Sequence, residues 1–139
     1  MTAVHLNPYL QFEDRARDAM RFYQEVFGGE LTMQTFAEGG MSADPSNDER
    51  IMHAQLVTRH GMVLMASDVP DGVPHQPGSA ISVSLSGDDE AALRGFYDGL
   101  ADGGTVIEPL RQAPWGDHFG ACQDRFGIDW MVNIGSSPT

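Results

Sequence analysis

The chain is predicted to be an α+β protein built from two pseudo-symmetric βαβββ modules that form a curved mixed β-sheet cleft with the helices outside. Three observations carry that prediction. Short stretches of alternating apolar and polar residues read as strands, and two intervening stretches repeat apolar residues at helical spacing and run into glycine pairs, Gly28-Gly29 and Gly103-Gly104. The order strand, helix, three strands then occurs twice, on either side of a stretch rich in proline and glycine.

In AVHLNPYLQF, Val4, Leu6, Leu10 and Phe12 fall on one alternation and His5, Asn7, Tyr9 and Gln11 on the other. Pro8 removes a ladder donor, so this first strand is expected at a sheet edge or a bulge. A helix follows with Asp14 as its expected N-cap, and Ala16, Ala19, Met20, Tyr23 and Phe27 form its apolar stripe. GELTMQTFA is the second strand. The segment from Glu38 to Glu49, rich in Gly, Ser, Asp and Asn, reads as a mobile loop. RIMHAQLVTR and MVLMAS then make a hairpin turned at His60-Gly61.

The order begins again after DVPDGVPHQPGS. ISVSLS is an alternating strand; Asp88, Asp89 and Glu90 put negative charge at a helix start, where the helix dipole favours it. Ala92, Leu93, Phe96, Tyr97 and Leu100 supply the helix's apolar face. TVIEPL is a strand, and HFGACQD and IDWMVN form a closing hairpin around Arg125-Phe126-Gly127, with Asp124 as a turn residue and Trp130 in the core. Arg21-Phe22-Tyr23 corresponds to Arg94, Phe96 and Tyr97, and GMVLM (Gly61 to Met65) to GIDWM (Gly127 to Met131). One domain is expected over 1–139, with module 1 at about 1–68, a linker at about 69–78 and module 2 at about 79–139.

Composition narrows the function classes. Of 139 residues, 41% are hydrophobic and 20% charged, an ordinary globular balance for about one domain. Eight basic against twenty acidic residues give a net charge of -12, which argues against nucleic acid and against anionic membranes. No apolar run is long enough to span a bilayer. The lone Cys122 excludes an internal disulfide and a cysteine-cluster metal site. A cytoplasmic protein is expected. Open sheet edges predict a homodimer.

YLQFEDRARDAMRFYQEVFGGEL, IMHAQL and WGDHFGACQDRFGIDWMVN resemble the vicinal oxygen chelate superfamily of glyoxalase I, bleomycin-resistance proteins and extradiol dioxygenases. More narrowly, they resemble its PhnB-like branch, often labelled 3-demethylubiquinone-9 3-methyltransferase. The resemblance implies the βαβββ doubling, a dimer, and a metal held by side chains from the first and last strands of each module. Those positions fall near Asn7, Met65, the Ala80-Ile81-Ser82 region and Met131. None is His, Asp or Glu, and a thioether is a poor ligand for zinc, nickel, manganese or iron, so no metal and no cofactor are expected. Methyl transfer is not expected either, because the glycine pairs lie at helix ends or in a loop rather than in a nucleotide-binding turn.

Polar chemistry then centres on IMHAQL, where His53 and Gln55 share one strand face. His53 is the candidate catalytic residue. Asn7, Tyr9, His53, Gln55, Met65, Trp115, Phe119 and Met131 are the candidate ligand-binding residues, with Trp115 at the cleft rim. An imidazole flanked by amide and phenol groups suits a carbonyl-bearing small molecule. Ser67, Ser82 and Cys122 lack the neighbours of a nucleophile. Two functions follow: a protein that holds a planar small molecule between the modules without metal, or a lyase, isomerase or dioxygenase that recruits a metal or a base through His53.

Overall fold

A computed structural model describes residues 3–40 and 45–135. The chain divides into two compact units, Met1–Gln76 and Pro77–Thr139. The first holds β1 (Tyr9–Phe12), α1 (Ala16–Phe27), β2 (Glu30–Thr35), β3 (Ile51–Val57) and β4 (Val63–Asp68), with its sheet in the order β1-β4-β3-β2. The second holds β5 (Val83–Gly87), α2 (Glu90–Ala101), β6 (Thr105–Gln112), β7 (His118–Gln123) and β8 (Asp129–Ile134), with its sheet in the order β5-β8-β7-β6. In each unit the first strand runs parallel to the last and the remaining pairs are antiparallel. The βαβββ doubling is therefore present as two mixed sheets of the same order.

Each helix covers one face of its own sheet. Ala16, Ala19, Met20, Tyr23 and Phe27 of α1 are buried with Leu10, Phe12, Ala54, Leu56, Leu64 and Ala66 of the strands. Leu93, Phe96, Tyr97 and Leu100 of α2 are buried with Leu85, Trp130 and Val132. Burying one such large side chain contributes about 1.5–3 kcal/mol, so these stripes hold the helices in place. Trp130 is 2% exposed and belongs to the core. Its indole Nε1 donates to Asp124 Oδ2 at 2.8 Å, while Asp124 Oδ1 accepts from the backbone of Phe126 and Ile128. Asp124 thus closes the hairpin turn and pins the tryptophan beneath it.

The duplication extends to close contacts. A Cβ on Gly29 would run into the Val57 carbonyl, and one on Gly104 into the Gln123 carbonyl. Only glycine lets the helix exit approach its sheet so closely. Gly28 and Gly103, with φ of 71° and 78°, turn the chain just before these contacts, and the guanidinium groups of Arg59 and Arg125 lie over them. Arg125 donates to the Asp102 carbonyl at 2.9 Å, placing positive charge at the end of α2.

Two expectations are corrected. The first strand spans Tyr9–Phe12 rather than beginning at Ala3, and Val4 and Leu6 are 98% and 99% exposed. Pro8 can accept but not donate: its carbonyl takes the Met65 N–H at 3.0 Å, and the ladder starts there. Asp14 does not cap α1. It sits at φ 61°, and the N-cap is Arg15, whose side chain makes no cap hydrogen bond. Asp68 of β4 does that work from across the sheet, its Oδ1 accepting from the N–H groups of Arg15 and Ala16, both at 2.9 Å. In α2 the cap is local, with Asp89 Oδ1, within the acidic run expected at the helix start, accepting from Ala92 N. Asp117 Oδ2 accepts from the Asn133 amide at 3.0 Å.

The loop after β2 is a loop, and residues 41–44 of it lie outside the described residues. Thr35 and Glu38 exchange bonds, with Thr35 N donating to Glu38 Oε1 and Glu38 N to Thr35 Oγ1. Buried Asn47 accepts from Asp71 N, and Arg50 donates to the Val69 carbonyl, so the start of the Pro/Gly-rich stretch is tied to the first unit.

Candidate functional site

Strand pairing decides which side chains share the face of the first sheet opposite α1. Tyr9 stands beside Met65, Met65 beside Gln55, and Gln55 beside Thr32, a row crossing all four strands. His53 is one position along the same face from Gln55 and stands beside Gln34. The rings of Tyr9 and His53 lie 6.0 Å apart at 35°. On the other face Ala54 and Leu56 are wholly buried, so from His53 to Val57 the alternation separates packing residues from open ones.

Among the described residues, no hydrogen bond engages the Tyr9 hydroxyl, the His53 ring, the Gln55 amide, the Gln34 amide or the Thr32 hydroxyl. All five groups project from one rigid surface and are free to bond something outside the chain. Thr32 and Gln34 are absent from the residues singled out in the sequence. Their signal was the alternation with Leu31 and Met33, which places them on the open face, but only the pairing register shows that they stand beside Gln55 and His53.

The second sheet has an open face of different character. Ser84, Met131 and Ala121 make the row equivalent to Tyr9, Met65 and Gln55. Ser86, Asn133, Phe119 and Arg111 make the next. Trp115, in the connection from β6 to β7, is 63% exposed and meets Phe119 edge-on at 6.0 Å. The predicted residues thus fall into two groups: Tyr9, His53, Gln55 and Met65 on one sheet, and Trp115, Phe119 and Met131 with the other. Asn7 is in neither, because it precedes β1.

The pairing also corrects the metal positions. The first-strand residues beside Met65 and Met131 are Tyr9 and Ser84, not Asn7 and the Ala80-Ile81-Ser82 region. Neither the phenol and thioether of the first unit nor the hydroxyl and thioether of the second suits a divalent ion of the zinc or iron type. Among the described residues no three His, Cys, Asp or Glu side chains converge on a common point. Cys122 is no nucleophile: it is buried, and burial, with Asp124 and Asp129 adding to it, pushes its thiol up to about 11.

Comparison with known proteins gives the relationship. A family model described as the Glyoxalase/Bleomycin resistance protein/Dioxygenase superfamily matches residues 5–132. Protein YjdN of Escherichia coli (strain K12) is 28% identical over 140 residues, spanning 93% of this chain and 94% of that protein. The crystal structure of protein PA1353 from Pseudomonas aeruginosa is similar with a TM-score of 0.82 and 37% identity, over 95% of this chain and 98% of that one. A Bacillus cereus structure described as a putative 3-demethylubiquinone-9 3-methyltransferase, PhnB protein, is similar with a TM-score of 0.72 and 24% identity over 95% of this chain and 100% of that one, a likeness of fold alone. Neither sheet of the present protein is the all-parallel sheet of a nucleotide-binding fold.

Proposed function

This chain belongs to the Glyoxalase/Bleomycin resistance protein/Dioxygenase superfamily, and within it we propose a protein that binds a small organic molecule on the open face of its first sheet, without the superfamily's metal. One observation carries the reading: Tyr9, His53 and Gln55 present polar groups from a single sheet face, and no other described residue bonds them. These groups are part-exposed, so a ligand can reach them in place of water. Met65 between them supplies a polarisable surface for a flat ligand.

Thermal melts of wild type and His53→Ala, with and without a hit from a small-molecule thermal-shift screen, test the reading. Losing one neutral hydrogen bond costs about 0.5–1.5 kcal/mol, so the variant should bind about two- to tenfold more weakly and melt as wild type does. A variant that melts several degrees lower while its ligand-induced shift persists would make His53 structural. Elemental analysis of protein purified without chelators should find less than one zinc, nickel, manganese or iron per chain. A tightly held ion that His53→Ala abolishes would favour a metal-dependent enzyme instead.

The same proposal includes a homodimer in the cytoplasm. Val4 and Leu6 ahead of β1, and Ile81 ahead of β5, are 98%, 99% and 83% exposed, and both β1 and β5 are sheet edges. A free buried thiol suits a reducing compartment. Sedimentation at micromolar concentration should show a dimer, and a monomer there would remove that part of the proposal.

A further inference from the structure

Resting on that reading of the open face, we infer that its ligand is an uncharged, planar aromatic molecule carrying a carboxamide-like donor and acceptor, and not an anion. Counting Asp, Glu, Lys and Arg, the described strand residues of this face include one charge, Glu30, opposite Val57 at the far end of edge strand β2. Among the described residues of the first unit no cation is at hand. The chain has no lysine, and of the first unit's arginines, Arg15, Arg17 and Arg21 belong to α1 or its cap, on the other side of the sheet. Arg50 is committed to the Val69 carbonyl and Asp71, and Arg59 packs over Gly28.

A phosphonate or carboxylate laid on the row would lose water and gain no counter-charge from the first unit, and the net charge of -12 repels it from a distance. A cation would find Glu30 only at a corner. The face instead offers matched neutral groups: Gln55 and Gln34 each give a donor and an acceptor, and His53 and Gln55 stand about 6.7 Å apart, two residues along one strand. The tilted Tyr9 and His53 rings and the Met65 thioether suit a flat apolar body between those groups.

A matched series tests the charge: 2-naphthamide, 2-naphthoate, 2-naphthylphosphonate and 2-naphthamidine, titrated by calorimetry into wild type and Gln55→Ala at about 0.15 M and about 0.5 M salt. Naphthamide should bind wild type and lose about two- to tenfold in Gln55→Ala, whose melting temperature stays unchanged. The two anions should bind at least about tenfold more weakly, and should still do so at high salt, where long-range repulsion is screened. An anion or the amidine binding as tightly as naphthamide, with the same loss in Gln55→Ala, would overturn the inference and leave the binding face standing. If none of the four responds to Gln55→Ala or His53→Ala, the face itself is wrong and the inference falls with it.

Discussion

Asp68 is where the first unit is most exposed to a single substitution. The residue is 4% exposed, and its carboxylate accepts three backbone N–H groups: Arg15 and Ala16 at one oxygen, Ile51 at the other, each at 2.9 Å. One side chain thereby joins the start of α1, the start of β3 and the end of β4. In Asp68→Ala, α1 loses the side-chain cap that Asp68 supplies, worth about 0.5–2 kcal/mol, and the buried Ile51 N–H is left unsatisfied at about 1–3 kcal/mol. Water can reach exposed Arg15, so the expected loss is about 2–4 kcal/mol. For a domain of this size that lowers the melting temperature by roughly 8–15 °C. Asp68→Asn is the informative intermediate. Its amide oxygen can still serve Arg15 and Ala16, but its NH₂ then meets the Ile51 N–H, donor against donor, so it should lose about 1–3 kcal/mol. Urea unfolding followed by circular dichroism gives the ranking, wild type above Asn above Ala, with an unchanged m-value. Ser67→Ala, one residue along the strand and on the opposite face, should cost under about 1 kcal/mol. An Asp68→Ala protein within about 1 kcal/mol of wild type, or a Ser67→Ala protein equally damaged, would refute the account of the cap.

Three further outcomes follow from the same contacts. Gly104→Ala should cost about 1–3 kcal/mol, because its methyl meets the Gln123 carbonyl and the Asp124 backbone, neither of which can swing aside; a neutral substitution in a thermal melt would mean the helix exit is looser than it stands. Cys122, with its pKa raised, favours the fold while protonated: that stability is whole below the ordinary thiol value of about 8.5 and drains as the pH rises through about 11. Iodoacetamide at about pH 8 should therefore leave the folded protein unmodified and alkylate it fully in urea, and rapid alkylation of the folded form would contradict its burial. Trp130→Phe should lose the bond to Asp124 Oδ2, a charge-assisted contact of about 1.5–3 kcal/mol, with Asp124→Ala costing at least as much because two turn amides go unpaired as well; equal stability of all three proteins in urea would dismiss the network.

What could be read in advance was what depends on neighbours in sequence. The shared face of His53 and Gln55, the glycine pairs that end both helices, the acidic start of α2 and the Asp124 turn are local devices, and all stand where the residues placed them. What escaped was set by partners far along the chain. The cap of α1 comes from Asp68, 52 residues beyond Ala16, so a nearby Asp14 looked sufficient until its backbone proved left-handed. The start of β1 is set by where β4 can pair with it, which apolar alternation through Val4 and Leu6 cannot reveal. The open face suffered likewise: His53 and Gln55 share it by strand period alone, whereas Thr32 and Gln34 join it only through the β2–β3 register.

The duplication itself offers a way to separate scaffold from chemistry. Positions that the backbone needs recur in both units: Gly29 and Gly104 against a carbonyl, Arg59 and Arg125 over a helix end, Gly61 and Gly127 at positive φ in the hairpin turns. Met65 and Met131 recur too, at the same place in the same row. The open-face neighbours of those methionines do not recur, since Tyr9, His53 and Gln55 are replaced by Ser84, Phe119 and Ala121. Both sheets are sound, so stability does not require a phenol, an imidazole and an amide at these places. The difference is left to be explained by something that only the first unit's face contacts, which is why the tests of function above begin at His53 and Gln55 rather than at the aromatic residues of the second unit.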